Sequence, residues 1–365
     1  MTDGRAITAV RHEIDAVKLE AYLVENVQGF KVPFELQQFA FGQSNPTYLL
    51  IDANKTKYVV RKKPPGQILS RTAHAVEREY KILHALSKNT DLPVPNVYCL
   101  CEDSAIIGTP FYVMEFMNGR IYTEVLFKDL PPTERKQCWR SAVSTLAKLH
   151  SVDYRKIGLA DYGKDSGFYA RQIKSLGKIS TIQSQVKNEQ GEPVGELPGF
   201  KRILAWFSQN LSDDTTTLIH GDYKIDNLVF HPTEPRVIGI LDWELSTVGH
   251  PLSDLTNLLQ PYLILPNSNL SLTRLDEETI RDLELPTKDE LMQLYCEIAN
   301  REYPIKNWNF FIAFSFFRLA VITQGIAARA AKKQASSAQA AKYAKMFRPL
   351  SNLVLAIIDQ SSSKL

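Results

Sequence analysis

The sequence predicts an α+β chain organised as two lobes. Strand-like runs crowd residues 1–117, and helical periodicity dominates residues 118–360. A chain of 365 residues, 44% of them hydrophobic, can also bury two cores that share a cleft. The expected division is a front lobe over 1–117, a helical lobe over 118–360 and an exposed tail over 361–365.

Residues 12–28 read as a helix, because Ile14, Val17, Ala21 and Val24 recur at helical spacing. Phe34 to Ile51 reads as two strands around a turn at Gly42-Gln43-Ser44-Asn45. A polar turn over Asp52 to Lys57 leads to a third strand, Tyr58 to Arg61, which ends at Pro64-Pro65 because proline cannot donate to a sheet ladder. Ala75 to Leu86 reads as a helix, and Val97 to Leu100 and Phe111 to Met114 as further strands. A helix follows over Glu134 to His150. Strands return only as short pieces at Leu218-Ile219, Leu228 to Phe230 and Val237 to Leu241. Gln183 to Glu196 is polar and contains Gly191-Glu192-Pro193, the mark of an exposed loop. The stretch 287–358 is helical throughout.

Charge and cysteine content narrow the function classes. A net charge of +3, with both signs interspersed, gives no electrostatic case for nucleic acid. Cys99 and Cys101 lack a second pair to complete a zinc site, so all four cysteines read as reduced thiols. The most apolar run, Phe310 to Ala330, carries Arg318 and Gln324 and is expected to be a buried helix, not a membrane span. Gly158 to Lys164 nearly spells a phosphate loop, but Asp165 stands where the metal-binding hydroxyl is required, so it reads as an ordinary loop.

The informative segment is His220-Gly221-Asp222-Tyr223-Lys224-Ile225-Asp226-Asn227, followed by Ile240-Leu241-Asp242. A short apolar strand delivers Asp222 into a polar loop. Asn227 follows five residues later, and a second apolar strand delivers Asp242. Oxygen-bearing side chains that converge at strand ends are what a hard cation such as magnesium requires. Phosphoryl transfer needs metal-bridged phosphates, an aligned hydroxyl and a base beside it. Each residue alone could equally be a turn former or a cap, but the set at these spacings is specific.

These residues resemble the signature of the aminoglycoside phosphotransferase and choline kinase family, a small-molecule branch of the bilobal protein-kinase-like fold. Gly249-His250-Pro251-Leu252-Ser253-Asp254-Leu255 extends the match, which covers roughly 30–330. The resemblance implies that Asp222 is the catalytic base and that Asn227 and Asp242 are magnesium ligands. It implies a structural role for His220 and for Asp254, a carboxylate that holds the catalytic loop. ATP and Mg2+ are the implied cofactors.

The same resemblance directs attention to the nucleotide side. Arg61 stands where the family has its strand-three lysine or arginine, with Lys63 two residues on as the competing phosphate clamp. Glu77 and Glu79 are candidate partners, and Glu79 matches the family position better. Phe41 to Tyr48 fits the phosphate-covering loop, with Ser44, Asn45 and nearby backbone amides as donors. Met114 to Met117 falls at the connection between lobes, where backbone groups of Glu115 and Met117 would meet adenine.

The implied function is transfer of phosphate to a hydroxyl of a small metabolite. The sequence is also similar to the phosphotransferase-like module joined to certain acyl-CoA dehydrogenases, which favours a hydroxy acid or hydroxyacyl-CoA. An amino alcohol, a sugar or an aminoglycoside is the alternative, with Trp243, Glu244 and Tyr223 as the start of a pocket. A non-catalytic nucleotide-binding module is the third reading. Ser363-Lys364-Leu365 is expected to be read by the peroxisomal import receptor as an address.

Overall fold

The computed structural model describes residues 7–8, 10, 14–39, 45–64, 75–266, 268, 270–334 and 340–362. Ser44, with the rest of the turn 40–44, and the terminal Ser363-Lys364-Leu365 lie outside the described residues. In chain order the front half runs β1 (Ile7–Thr8), α1 (Ala16–Asn26), β2 (Glu35–Phe39), β3 (Thr47–Ile51), β4 (Lys57–Lys62), α2 (Val76–Asn89), β5 (Val97–Cys101), α3 (Ser104–Ile107), β6 (Phe111–Glu115) and α4 (Pro132–His150). The middle runs α5 (Phe168–Ser184), α6 (Phe200–Gln209), β7 (Thr217–Ile219), β8 (Leu228–Phe230), β9 (Val237–Ile240) and β10 (Thr247–Gly249). The remainder is helical: α7 (Leu252–Leu258), α8 (Gln260–Leu263), α9 (Glu277–Asp282), α10 (Lys288–Ile298), α11 (Trp308–Ala331), α12 (Ala340–Ala344) and α13 (Phe347–Ser362).

The chain divides into two compact units, one of 1–162 with 220–247, the other of 163–219 with 248–365. This division does not fall at 117/118. Hydrogen bonds explain why 220–247 joins the front. Ile240 N donates to Pro93 O, and Arg120 N and Phe230 N each donate to the other's carbonyl.

In the first unit, strands β1-β2-β3-β4-β6-β5 form one antiparallel sheet. Alternation along β4 sends Tyr58 and Val60 to the face covered by α1. Helix α1, capped by Asp15, buries Leu19 and Leu23 and not the expected stripe, since Val17 is 80% exposed. The four-residue step from Leu19 to Leu23 to Val27 is the face that meets the sheet. Lys62 points the same way and is buried, with Nζ donating to Ile107 O at 2.9 Å. Arg61 takes the opposite face. It is in register with Thr47 on β3 and Tyr112 on β6.

In the second unit, the long helix α11 is wrapped by α5, α7, α12 and α13. It is the one helix among the described residues long and apolar enough to cross a membrane, and most of it is buried in protein. Its polar Gln324 is fully buried and satisfied: Oε1 accepts from Ser180 Oγ at 2.7 Å and Nε2 donates to Gly195 O at 2.9 Å. The helical stretch expected over 287–358 is interrupted at 299–307, where Pro304 breaks it. At the far end α13 continues through Ser362, so residues 361–362 are helix and not tail.

Candidate active site

Two short strands and the turns after them build the site in the first unit. After β7 the chain enters His220, which is fully buried. Its Nδ1 accepts from Asp222 N at 3.2 Å, so the ring donates from Nε2 to Leu241 O at 2.8 Å. His220 therefore ties the loop of Asp222 to the residue before Asp242, a structural task. Gly221 must be glycine here. Its φ is +84°, and an added Cβ would collide with the Leu245 carbonyl.

Asn227 ends a 3₁₀ turn over Ile225–Asn227. Its Nδ2 donates to Asp222 O at 2.9 Å and to Asp222 Oδ2 at 3.2 Å. With the amide nitrogen so committed, Oδ1 is the end that can face a cation. Asp242 follows β9 in the left-handed region, φ 67° and ψ 61°, a conformation asparagine and aspartate tolerate better than most residues. That twist turns its carboxylate out of the strand, and the side chain is 36% exposed. Asn227 and Asp242 thus supply oxygen donors of the type a hard divalent cation selects. The chemistry of the donor set fits magnesium.

Arg61 meets three carboxylates. Its Nε lies 3.1 Å from Glu79 Oε2, and its Nη2 lies 2.7 Å from Asp242 Oδ1 and 3.3 Å from Glu244 Oε2. Glu79, on α2, is 1% exposed and also accepts from Asn45 Nδ2 at 2.8 Å and Tyr112 OH at 3.0 Å. Burial pushes its carboxyl up to about 7, against the pull of Arg61 and Tyr112. Burial disfavours the Arg61 charge, but Glu79, Tyr112 and Asp242 outweigh it and hold the guanidinium charged.

These contacts distinguish the nucleotide-side candidates. Arg61 pairs with Glu79, whereas Lys63, one residue beyond the end of β4, pairs with Glu77. Arg61, not Lys63, is the cation brought to Asp242. The Asn45 side chain is buried and its Nδ2 donates to Glu79, so it supports the pair. The Glu115 carboxylate accepts from Asn96 N at 3.1 Å and Asn96 Nδ2 at 2.7 Å, which braces the chain entering β5. Met117 lies beside β9, its Cε 3.1 Å from where a Cβ on Gly239 would stand. Asp254 is buried in the first turn of α7, in the second unit. Trp243 and Tyr223 are core residues and cannot open a pocket. Trp243 Nε1 donates to Ile240 O at 2.9 Å and Tyr223 OH to Ala142 O at 2.8 Å.

The sequence pattern of the phosphotransferase enzyme family matches residues 35–291. The chain belongs to this family. A provisionally named aminoglycoside phosphotransferase of Ralstonia eutropha is 37% identical in its crystal structure, with a TM-score of 0.83 over 95% of this chain and 99% of that one. Choline kinase of Cryptosporidium parvum shares the fold at a TM-score of 0.61 and 13% identity, over 95% of this chain and 97% of that one. The α+β, protein-kinase-like fold expected of the phosphotransferase is thereby present. Acyl-CoA dehydrogenase family member 11 of Rattus norvegicus is 39% identical over 362 residues, 97% of this chain but 44% of that protein. Family member 10 of Mus musculus is 40% identical over 322 residues, 88% of this chain and 29% of that protein. The chain spans less than half the length of these curated relatives.

One neighbour of the site in this phosphotransferase was not singled out from sequence. Lys224 Nζ lies 3.4 Å from Asp222 Oδ2 and 3.4 Å from Asp226 Oδ2. Burial works against its charge, yet the two carboxylates prevail and raise its pKa above the ordinary lysine value. Its place two residues after Asp222 was the available signal. A lysine in a polar loop reads as solvated surface until the loop's curvature is known.

Proposed function

We propose that the chain is an ATP- and magnesium-dependent kinase that phosphorylates a hydroxyl of a small metabolite. The observation that carries this reading is the joining of Asp222, Asn227 and Asp242 to the Arg61–Glu79 pair within one unit. Asn227 Oδ1 and the Asp242 carboxylate would hold Mg2+. When bound, the ion supplies neutralising charge to the phosphates. Arg61 binds phosphate oxygens through its planar fork. Asp222 orients the acceptor hydroxyl and takes its proton at a carboxylate oxygen as the new P–O bond forms and the bond to the ADP oxygen breaks. Lys224 adds positive charge beside that carboxylate.

The preferred acceptor is a hydroxy acid or hydroxyacyl-CoA. Similarity to acyl-CoA dehydrogenase family members supports it, and so does the terminal Ser363-Lys364-Leu365, which we assign as a peroxisomal address. Phosphorylation would turn an unreactive hydroxyl into a leaving group. The amino-alcohol reading loses the support of Trp243 and Tyr223, which are core residues.

The test is a screen of metabolite pools with labelled ATP, with Asp222→Asn as the blank. A labelled hydroxy acid or hydroxyacyl-CoA made only by the wild type is expected. Binding of Mg-ATP with no transfer to any pool would favour a non-catalytic module. For the address, a residue appended after Leu365 should leave the protein in the cytosol, and import that survives the addition would refute the assignment.

A further inference from the structure

Arg78 precedes Glu79 on α2, and none of the roles above uses it. Its guanidinium carbon stands 4.2 Å over the centre of the Tyr162 ring. Its Nη2 donates to Tyr162 O at 2.9 Å and approaches Ser246 O at 3.5 Å. Tyr162 answers from the same position. Its hydroxyl donates to Arg78 O at 3.2 Å and lies 2.8 Å from Ser246 Oγ. Ser246 in turn donates to Trp243 O at 2.5 Å, which closes the turn that begins at Asp242. Tyr162 and Ser246 are both buried. Burial first, partly offset by Ser246 and Arg78, pushes the Tyr162 hydroxyl up to about 12, so it stays a donor at every physiological pH.

Two pieces of chain that carry site residues are therefore joined by a third that carries none. Helix α2 holds Glu79, the turn 242–246 holds Asp242, and Tyr162 is wedged between them. Glu79 and Asp242 grip one guanidinium, that of Arg61, at 3.1 and 2.7 Å. A shift of α2 against the turn would lengthen one grip or the other. We propose that Arg78 and Tyr162 are positioning residues that lock α2 to the metal-aspartate turn, and so preset Arg61 and Asp242 for a metal–nucleotide complex. The inference rests on the kinase reading above and deepens it.

The test is calorimetric titration with Mg-ATP across a range of Mg2+ concentrations, with thermal melting as the control. Tyr162→Phe removes one hydroxyl and keeps the ring. Arg78→Met keeps bulk and removes charge, and Arg78→Lys restores charge without the fork. For Tyr162→Phe, the loss of a neutral hydrogen bond predicts about a two- to tenfold rise in the Mg2+ needed for half-maximal nucleotide binding. Arg78→Met should exceed it, and Arg78→Lys should recover only part. Metal dependence equal to wild type in Tyr162→Phe and Arg78→Met would overturn the proposal. A lowered melting point with unchanged metal dependence would overturn it too, since that is what a purely structural role gives. If Arg78→Met fails to fold, Tyr162→Phe decides alone. Failure of the kinase reading shows separately, as a wild type that binds no Mg-ATP. Amide exchange then judges the lock: joint loss of protection in 76–89 and 242–246 in Tyr162→Phe supports it, and unchanged protection in 242–246 overturns it.

Discussion

Arg61→Ala tests the centre of the site, because it strips one cation from three carboxylates. Asp242 and Glu244 are partly exposed, so water screens much of their loss. Glu79 is not screened. It keeps Asn45 and Tyr112 as donors but becomes a buried carboxylate without a counterion. Breaking a buried pair costs about 3–5 kcal/mol; the two remaining donors put the expected loss near the lower end, about 3 kcal/mol. At roughly 2 °C per kcal/mol, the melting point at pH 8.5 should fall by about 6 °C. The pH dependence follows from Glu79. Burial raises its folded value from 4.5 to about 7, so this group's contribution is fully present below the unfolded value and is lost as pH rises through about 7. Without Arg61 the folded value rises further and the loss at high pH deepens. The gap between variant and wild type should therefore be large at pH 8.5 and small at pH 5.5, where the protonated carboxyl needs no cation. Glu79→Gln in the same chain should remove most of the Arg61→Ala penalty. A gap of the same size at both pH values, together with fully additive single effects, would refute the pairing and the reasoning built on it.

Gly221→Ala should lower the melting point and abolish transfer together, since left-handed strain of about 1–2 kcal/mol adds to a backbone collision with Leu245; melting and the labelled-ATP assay report both. Lys224→Met should reduce turnover about tenfold to a hundredfold while calorimetric Mg-ATP affinity stays close to wild type. Equal loss in both would make Lys224 a binding residue instead. Lys62→Met should stabilise the protein at pH 7, because Lys62 is buried with one carbonyl partner and burial lowers its pKa. A lysine with a depressed folded value costs most below that value and nothing above the unfolded one. The gain, about 1–3 kcal/mol by denaturant titration at pH 7, should therefore shrink at pH 10.5.

The sequence by itself determined the fold class and most strands of the first unit. Apolar runs bounded by turns marked β2 through β4 and β6, and Asp222, Asn227 and Asp242 at their spacing carried the family resemblance that points to phosphoryl transfer. Tertiary structure decided the choices that periodicity leaves open. Alternation puts Arg61 and Lys63 on one face, and only the packing of α2 selects Glu79 for Arg61 and Glu77 for Lys63. Helix α1 has apolar residues on two sides, and contact with the sheet selects Leu19 and Leu23 over Val17. Trp243 and Tyr223 were legible as aromatic residues beside the site, but their burial was not, since it depends on tertiary packing, as where Tyr223 OH reaches Ala142 O on α4. Lys62 and Tyr162 meet partners distant in sequence, Ile107 and Ser246, and one chain read locally does not contain those distances. Lys224 meets near neighbours, Asp222 and Asp226, but only the curvature of the loop turns it toward them.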